Sequence, residues 1–291
     1  IRADGIDFCL AETGGHKLLV ETGWKPGMTL ASARLDGELH HVRIDRVTGG
    51  FRFRWRGPDL FIAAHDGIGD WAEAGTVAAL DDVAADPNFS SSLVPGLMTA
   101  MEYKGHVYGL PLALKSLALW RNTALVPEAP KTLNELLTTA KANTKDGVYG
   151  FVYENRDLYF HAPLLFGSGG RLFADDGATA LDDAGNVASV RRAMDINASG
   201  VVPQEVSGTL TIALFNDKKA AMIVTGPWSR GEIAKDVAWD ISPLPDVDDG
   251  ATKRPMTPFL TVEAAFLSGK TEKRELAPTV GRDVQIGAGA V

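Results

Sequence analysis

The chain has 291 residues, 45% of them hydrophobic and 23% charged, with a net charge of −8 from 29 basic and 37 acidic residues. That composition suits one or two globular domains and excludes a disordered or collagenous chain. The acidic balance argues against a polyanionic partner such as nucleic acid, and the single cysteine, Cys9, excludes an internal disulfide and a zinc site built from cysteines. The charge is uneven: residues 1–57 carry 9 Lys or Arg against 7 Asp or Glu, whereas the remaining 234 carry 20 against 30. A basic segment of net +2 is therefore joined near Gly57 to a body of net −10. The most apolar stretch, Leu110 to Trp120, is interrupted by Lys115, so nothing in it is long enough to span a membrane. The first residue is Ile1 with no charged-then-apolar leader, so the chain reads as a processed or trimmed product.

Up to Gly57 the pattern has period two. Val42 and Ile44 alternate with Arg43 and Asp45, Thr48-Gly49-Gly50 supplies a turn, and Phe51, Phe53 and Trp55 alternate with Arg52, Arg54 and Arg56. This predicts a β-hairpin with one apolar face and an arginine stripe, which either grips phosphates or is a solvated sheet face. Lys25-Pro26-Gly27 predicts a further turn. From Pro58 onward strands alternate with helices, the pattern of α/β layers. Strands are expected at Leu60–Ala64, around Tyr103–Leu110 turned by Lys104-Gly105, at Leu117–Trp120, at Ala220–Val224 and at Trp239–Ile241. Helices are expected at Gly67–Gly75 (or a turn), Leu93–Met101, Leu133–Lys141, Asp157–Phe166, Val187–Asn197 and Thr209–Phe215, with a short one near Trp228 after Gly226-Pro227. Thr132 and Glu135 form a capping box ahead of Leu133. At the end, Val280-Gly281 and Ile286-Gly287 repeat at the six-residue spacing of a β-helix coil, with a flexible tail as the alternative.

The usual constellations of enzyme chemistry are missing. There is no phosphate loop, and Gly167-Ser168-Gly169-Gly170 lacks the third glycine of a dinucleotide fingerprint. His65-Asp66 has no second metal-binding pair beside it. Asp246-Val247-Asp248-Asp249-Gly250 resembles a calcium loop, but its twelfth position is Thr257 rather than Glu, and it reads better as a polar turn. No GxSxG elbow exists and Cys9 has only remote histidines, so no catalytic residue, metal site or cofactor is assigned. What stands out is a set of aromatics beside polar residues: Tyr159 and Phe160 after Asp157, and Trp228 after Gly226-Pro227. Aromatic faces pack on the C–H faces of sugar rings while polar groups bond the hydroxyls. Trp228 has the alternative of packing in the core.

The ordered motifs from Pro58-Asp59-Leu60-Phe61 through Ala64-His65-Asp66, Trp71-Ala72-Glu73-Ala74-Gly75, Tyr103-Lys104-Gly105 to Leu110-Pro111, and Leu119-Trp120-Arg121-Asn122 carry a resemblance. With Phe215-Asn216, Lys219 to Met222 and Thr225-Gly226-Pro227-Trp228, the series resembles extracellular solute-binding proteins of the maltose/maltodextrin-binding class over residues 58–277. The resemblance implies an α/β, two-lobed periplasmic-binding-protein-like fold that closes on an oligosaccharide by a hinge and delivers it to a membrane ABC permease, outside the cytoplasm, as a monomer and not as an enzyme. Its implied division is a β-rich segment 1–57, a partial first lobe of 58–113 plus 258–277, a second α/β lobe of 114–257, and a tail of 278–291. Its implied ligand-binding residues are Asp66, Lys115, Asp157, Tyr159, Phe160 and Trp228. Two departures stand out: Ala63 replaces the class's tryptophan, and Lys115 replaces a glutamate, so one stacking platform is lost and one charge inverted.

The ends fit a different pattern. Residues 20–57 resemble the β-rich linker domain of biotin-dependent acyl-CoA carboxylase α chains, without the biotin-attachment Ala-Met-Lys-Met; residues 278–291 resemble a hexapeptide acyltransferase coil. The binding-protein class's opening strand is missing, so the first lobe is expected to be incomplete and loosely packed unless the N-terminal strands replace that strand. The alternatives are a carboxylase-associated module, or a composite chain too incomplete to bind.

Overall fold

In the computed structural model, side chains are described for residues 60–85, 93–94 and 96–271, and within 2–59 the backbone of the strands alone. The chain divides into two compact units, Ile1–Leu114 with Thr261–Val291, and Lys115–Leu260.

The first unit is built on a nine-stranded sheet. Strands β1 (Arg2–Ala3), β2 (Ile6–Thr13), β3 (His16–Thr22), β4 (Leu30–Leu35), β5 (Glu38–Val47), β6 (Gly50–Arg54) and β7 (Asp59–Ala64) follow one another as an antiparallel meander. The hairpin expected from the alternation over 42–56 is the β5–β6 pair, with Val47 opposite Gly50. Its arginine stripe, the Lys25-Pro26-Gly27 turn and the tail 278–291 lie outside the described side chains and segments.

After β7 come a 3₁₀ turn, His65–Gly67, and the helices α1 (Ile68–Glu73) and α2 (Asp81–Ala84). The short strands β8 (Glu102–Tyr103) and β9 (His106–Val107) are turned by Lys104 and Gly105, both at positive φ (49° and 82°), the backbone a two-residue hairpin requires. The helix expected over Leu93–Met101 is only a 3₁₀ turn, Met98–Met101, because Gly96 sits at φ +86°, which an α-helix cannot accommodate.

Loose packing of the first lobe is expected only if the N-terminal strands do not pair with it, and β6 does pair with β7. β7 lies between β6 and β16 (Thr261–Leu267), so both of its edges are paired, and β10 (Gly109–Lys115) extends the sheet beyond β16. Both faces of β7 and β16 are covered. On one, Phe61 stacks on its cross-strand partner Phe266 at 5.3 Å, and Trp71 of α1 meets both rings edge-on at 5.6 and 5.1 Å. On the other, Leu60 and Ile62 join the buried Leu80, Val83, Ala265 and Leu267. Two covered faces explain why these strands read as near-continuous apolar runs.

In the second unit, β11 (Ala118–Asn122) runs antiparallel between β12 (Met222–Thr225) and β13 (Trp239–Ser242). Tyr149 and Val152 bridge Ala220 and Ile223 in parallel along the far side of β12. Alternation sends Leu119, Met222 and Val224 to one face and Trp120 and Ile223 to the other. The first face is packed by α3 (Leu133–Asn143), α4 (Leu158–Gly167) and α5 (Ala184–Ala198), the second by α6 (Gly208–Asn216), whose Phe215 is fully buried. Helices on both faces of a sheet make this unit α/β. Arg121, also buried, donates to the Val126 and Pro127 carbonyls at 3.1 and 2.6 Å and pairs with Asp240 of β13, fixing the turn that leaves β11.

The cap at Thr132 matches its sequence cue, and Ser207 caps α6, which begins at Gly208, one residue ahead of the start expected at Thr209. Thr132 accepts from the Glu135 N–H at 3.2 Å and Ser207 from Leu210 at 3.3 Å. The Glu135 carboxylate reaches the N–H of Lys131 at 2.7 Å, one residue upstream of the box position. Asp246 to Gly250 is not a simple turn: β14 (Asp246–Asp248) pairs with β15 (Lys253–Pro255), and Asp249 accepts from Thr252 and Ala251 in the connection. Those bonds, led by Thr252, hold the Asp249 carboxyl below its ordinary range. Among the described residues no group of three or more His, Cys, Asp or Glu is placed to hold a metal ion, and no helix is long and apolar enough to cross a membrane.

Candidate functional site

The second unit gathers four of the six expected site residues into one patch. Trp228 is the second residue of a 3₁₀ turn, Pro227–Glu232, that follows β12. Beneath it, the buried hydroxyls of Thr225 and Ser229 bond at 2.7 Å and the Ser229 N–H donates to the Gly226 carbonyl at 3.2 Å. Gly226 is required by contact: a Cβ there would lie 2.1 Å from the Trp228 ring, which folds back over it. The residue is 44% exposed, so the alternative of a buried core tryptophan is excluded.

Around it stand Tyr159 of α4, its ring centroid 6.3 Å away and tilted, and Lys115 at the end of β10, whose ammonium lies 5.9 Å from the indole. That distance is within reach of a cation–π contact. Phe160 meets Tyr159 edge-on at 5.7 Å but also packs against the core and lines an interior cavity of about 30 Å³. It therefore supports Tyr159 from below.

Asp157 is the N-cap of α4, its carboxylate accepting the Tyr159 N–H at 2.7 Å. At least one of its oxygens thus positions the helix that carries Tyr159. Asp66 belongs to the other unit. It is exposed in the 3₁₀ turn after β7, and that turn is tied to β16 by the Val262 N–H, which donates to His65 Nδ1 at 3.2 Å. Ala63, expected to stand where a stacking platform is lost, is buried opposite Ala264 and serves the core.

Two residues beside this patch were not named in the sequence reading. Phe259 stacks on Tyr159 at 6.0 Å and meets Phe166 edge-on at 5.5 Å, and its carbonyl accepts from Ser116 next to Lys115 at 2.9 Å. A lone aromatic after Pro258 gives no local signal of this. Glu154 lies at the N-terminus of α6; burial raises its proton affinity, opposed by the Gly208 N–H and reinforced by Asp157. Only its nearness in sequence to Asp157 and Tyr159 hinted at it. The patch offers ring faces and an ammonium, the mixture of apolar and polar groups that small-molecule sites combine.

A family model described as bacterial extracellular solute-binding protein matches residues 43–277, most of the chain. The chain belongs to that family. A second model, the BT domain of propionyl-coenzyme A carboxylase, matches residues 2–66, so the two matches overlap on the β5–β7 strands, and neither reaches the tail 278–291.

The chain is 31% identical over 228 residues to a maltotriose-binding protein of Pyrococcus abyssi, covering 76% of this chain and 49% of the relative. It is 28% identical over 244 residues to a maltooligosaccharide ABC transporter solute-binding lipoprotein of Streptococcus pneumoniae (77% and 54%). It is 28% identical over 254 residues to a galactooligosaccharide-binding protein of Bacillus subtilis (82% and 58%). The chain thus spans about half the length of the curated relatives it matches.

Proposed function

We propose that this chain is a non-enzymatic carbohydrate-binding protein that takes a malto- or related oligosaccharide and hands it to a membrane ABC permease. The observation that carries the reading is the half-exposed Trp228 beside Tyr159, with Lys115 over the indole and Phe259 stacked behind Tyr159. Indole and phenol faces hold the apolar faces of sugar rings, and the ammonium and nearby carboxylates bond the hydroxyls. Three relatives named for oligosaccharides support the ligand class, and one named as an ABC transporter lipoprotein supports the permease and a location outside the cytoplasm. On this reading the protein acts as a monomer, without cofactor or nucleic-acid partner, and Asp66, taken from the family resemblance, is a candidate hydroxyl acceptor.

Titration calorimetry of the full chain with malto- and galacto-oligosaccharides of two to six units tests this. Saturable heat with at least one series is expected, with a loss of affinity in Asp66→Asn; no heat and no thermal shift with any saccharide would sink the proposal in favour of a composite chain that does not bind.

A second reading is favoured by the carboxylase match at residues 2–66. On it the N-terminal strands dock onto biotin-dependent carboxylase subunits. Co-sedimentation of the chain with such subunits, lost on removing 1–57, would support it.

A further inference from the structure

Behind Trp228 the second unit carries a cleft of about 510 Å³ that none of the sequence motifs indicated. Its size falls within the range of small-molecule sites, roughly 300–1,000 Å³. One wall is α6 from Gly208 onward, another is Glu154, and Trp228 and Glu232 stand at the 3₁₀ turn, so Trp228 belongs to both the aromatic patch and the cleft. Gly208 helps to keep the space open: a Cβ there would already lie 3.1 Å from Glu154 Oε1.

Several polar groups of the lining are engaged within the protein. Thr225 bonds Ser229, Thr211 donates to the Ser207 carbonyl at 3.0 Å, and Asn216 spans the Glu232 carbonyl and the Ala234 N–H, each at 2.8 Å. The two carboxylates, Glu154 and Glu232, set the charge of the walls, and no lining residue is Lys or Arg. Burial and Asp157 already act against the negative charge on Glu154, so a further anion beside it would meet repulsion, and the lining supplies no Lys or Arg to offset it.

We propose that this cleft is a second subsite, continuous with the aromatic patch through Trp228, that admits an uncharged or cationic hydroxyl-bearing unit and rejects an anionic one, Glu154 and Glu232 deciding between them. It rests on the saccharide reading above. A neutral sugar ring donates hydroxyls to the two carboxylates, an amino sugar adds a charge pair, and a uronate places its carboxylate against theirs.

The test is calorimetry of the full chain with three oligosaccharides of equal length and linkage, ending in a neutral hexose, a hexosamine or a hexuronate. The uronate-ended one is expected to bind at least about tenfold more weakly than the neutral one, a gap that Coulomb repulsion at a surface-like dielectric readily supplies. In the E154Q/E232Q double variant the gap is expected to shrink to within about twofold, and in E232K, which alters an exposed side chain, to narrow or reverse. Equal binding of neutral and uronate-ended ligands by the native chain would overturn the proposal, and so would an undiminished gap in both variants. Binding of none of the three would instead remove the saccharide reading and this subsite with it, a result distinct from binding without discrimination.

Discussion

Trp228 is held by its neighbours rather than by burial. Its turn is locked by the Thr225–Ser229 hydroxyl bond, while 44% of its surface remains exposed. Trp228→Ala should therefore weaken saccharide binding by about 1 kcal/mol or more while leaving the melting temperature nearly unchanged, as read by calorimetry and thermal melting. Tyr153 behaves in the opposite way. It is 3% exposed, its hydroxyl has no hydrogen-bond partner among the described residues, and burial pushes its pKa up to about 12. Removing an unpaired buried hydroxyl removes a desolvation cost, so Tyr153→Phe should stabilise the protein by about 1 kcal/mol in denaturant titrations. Glu154 gives a pH signature. Its folded-state pKa is raised, so the folded protein holds that proton more tightly than the unfolded chain does, and the stabilisation from it is present at acid pH and lost as pH rises through the folded pKa. The melting temperature of Glu154→Gln relative to the native chain should be highest near pH 7 and fall as the pH drops towards 4.

At the scale of elements, the helix caps double as site architecture. Asp157 starts α4, and two residues later the same helix delivers Tyr159 to the patch. Capping and ligand contact are separable by substitution. Asp157→Ala should cost about 1 kcal/mol of stability through the lost cap, whereas Asp157→Ser should keep the cap and retain stability. If the carboxylate also bonds a sugar hydroxyl, both variants lose affinity; if it only caps, Asp157→Ser binds like the native chain. The pairing of β6 with β7 is a second element-scale device. It gives the sheet of the first unit a neighbour where β7 would otherwise present unpaired N–H and C=O groups.

For the whole molecule, the carboxylase-like segment and the binding-protein body are joined by backbone hydrogen bonds as well as by covalent continuity. Removing residues 1–57 should speed hydrogen exchange at the amides of Leu60 to Ala64 and leave those of β11 and β12 slow, because the second unit makes its sheet from its own residues. Equal protection of β7 with and without the segment would show that the pairing contributes nothing to the first unit. The charge asymmetry follows the same division, with the net +2 of residues 1–57 on the meander side and the acidic remainder carrying the proposed subsite, whose own charge is negative.

The amino-acid order by itself determined the local structure of the described body. Short apolar runs marked β7, β11 and β12, Thr132 and Asp157 marked helix starts, and Lys104-Gly105 marked a hairpin turn, because each of these depends on residues within a few positions of one another. Helix Leu93–Met101 failed for the same local reason, a glycine at positive φ within the run. The aromatic motif around Tyr159 and the tryptophan after Gly226-Pro227 were also legible. That Trp228 faces outward while Phe160 faces the core was not, since both are apolar and exposure depends on which side of the sheet the chain returns to.

Only the tertiary structure brought Lys115, Tyr159, Trp228 and Phe259, which lie far apart in sequence, within one patch, and only it placed Glu154 and Glu232 around one cleft. Such meetings are set by strand order and helix packing over the whole unit, which no short stretch of sequence encodes.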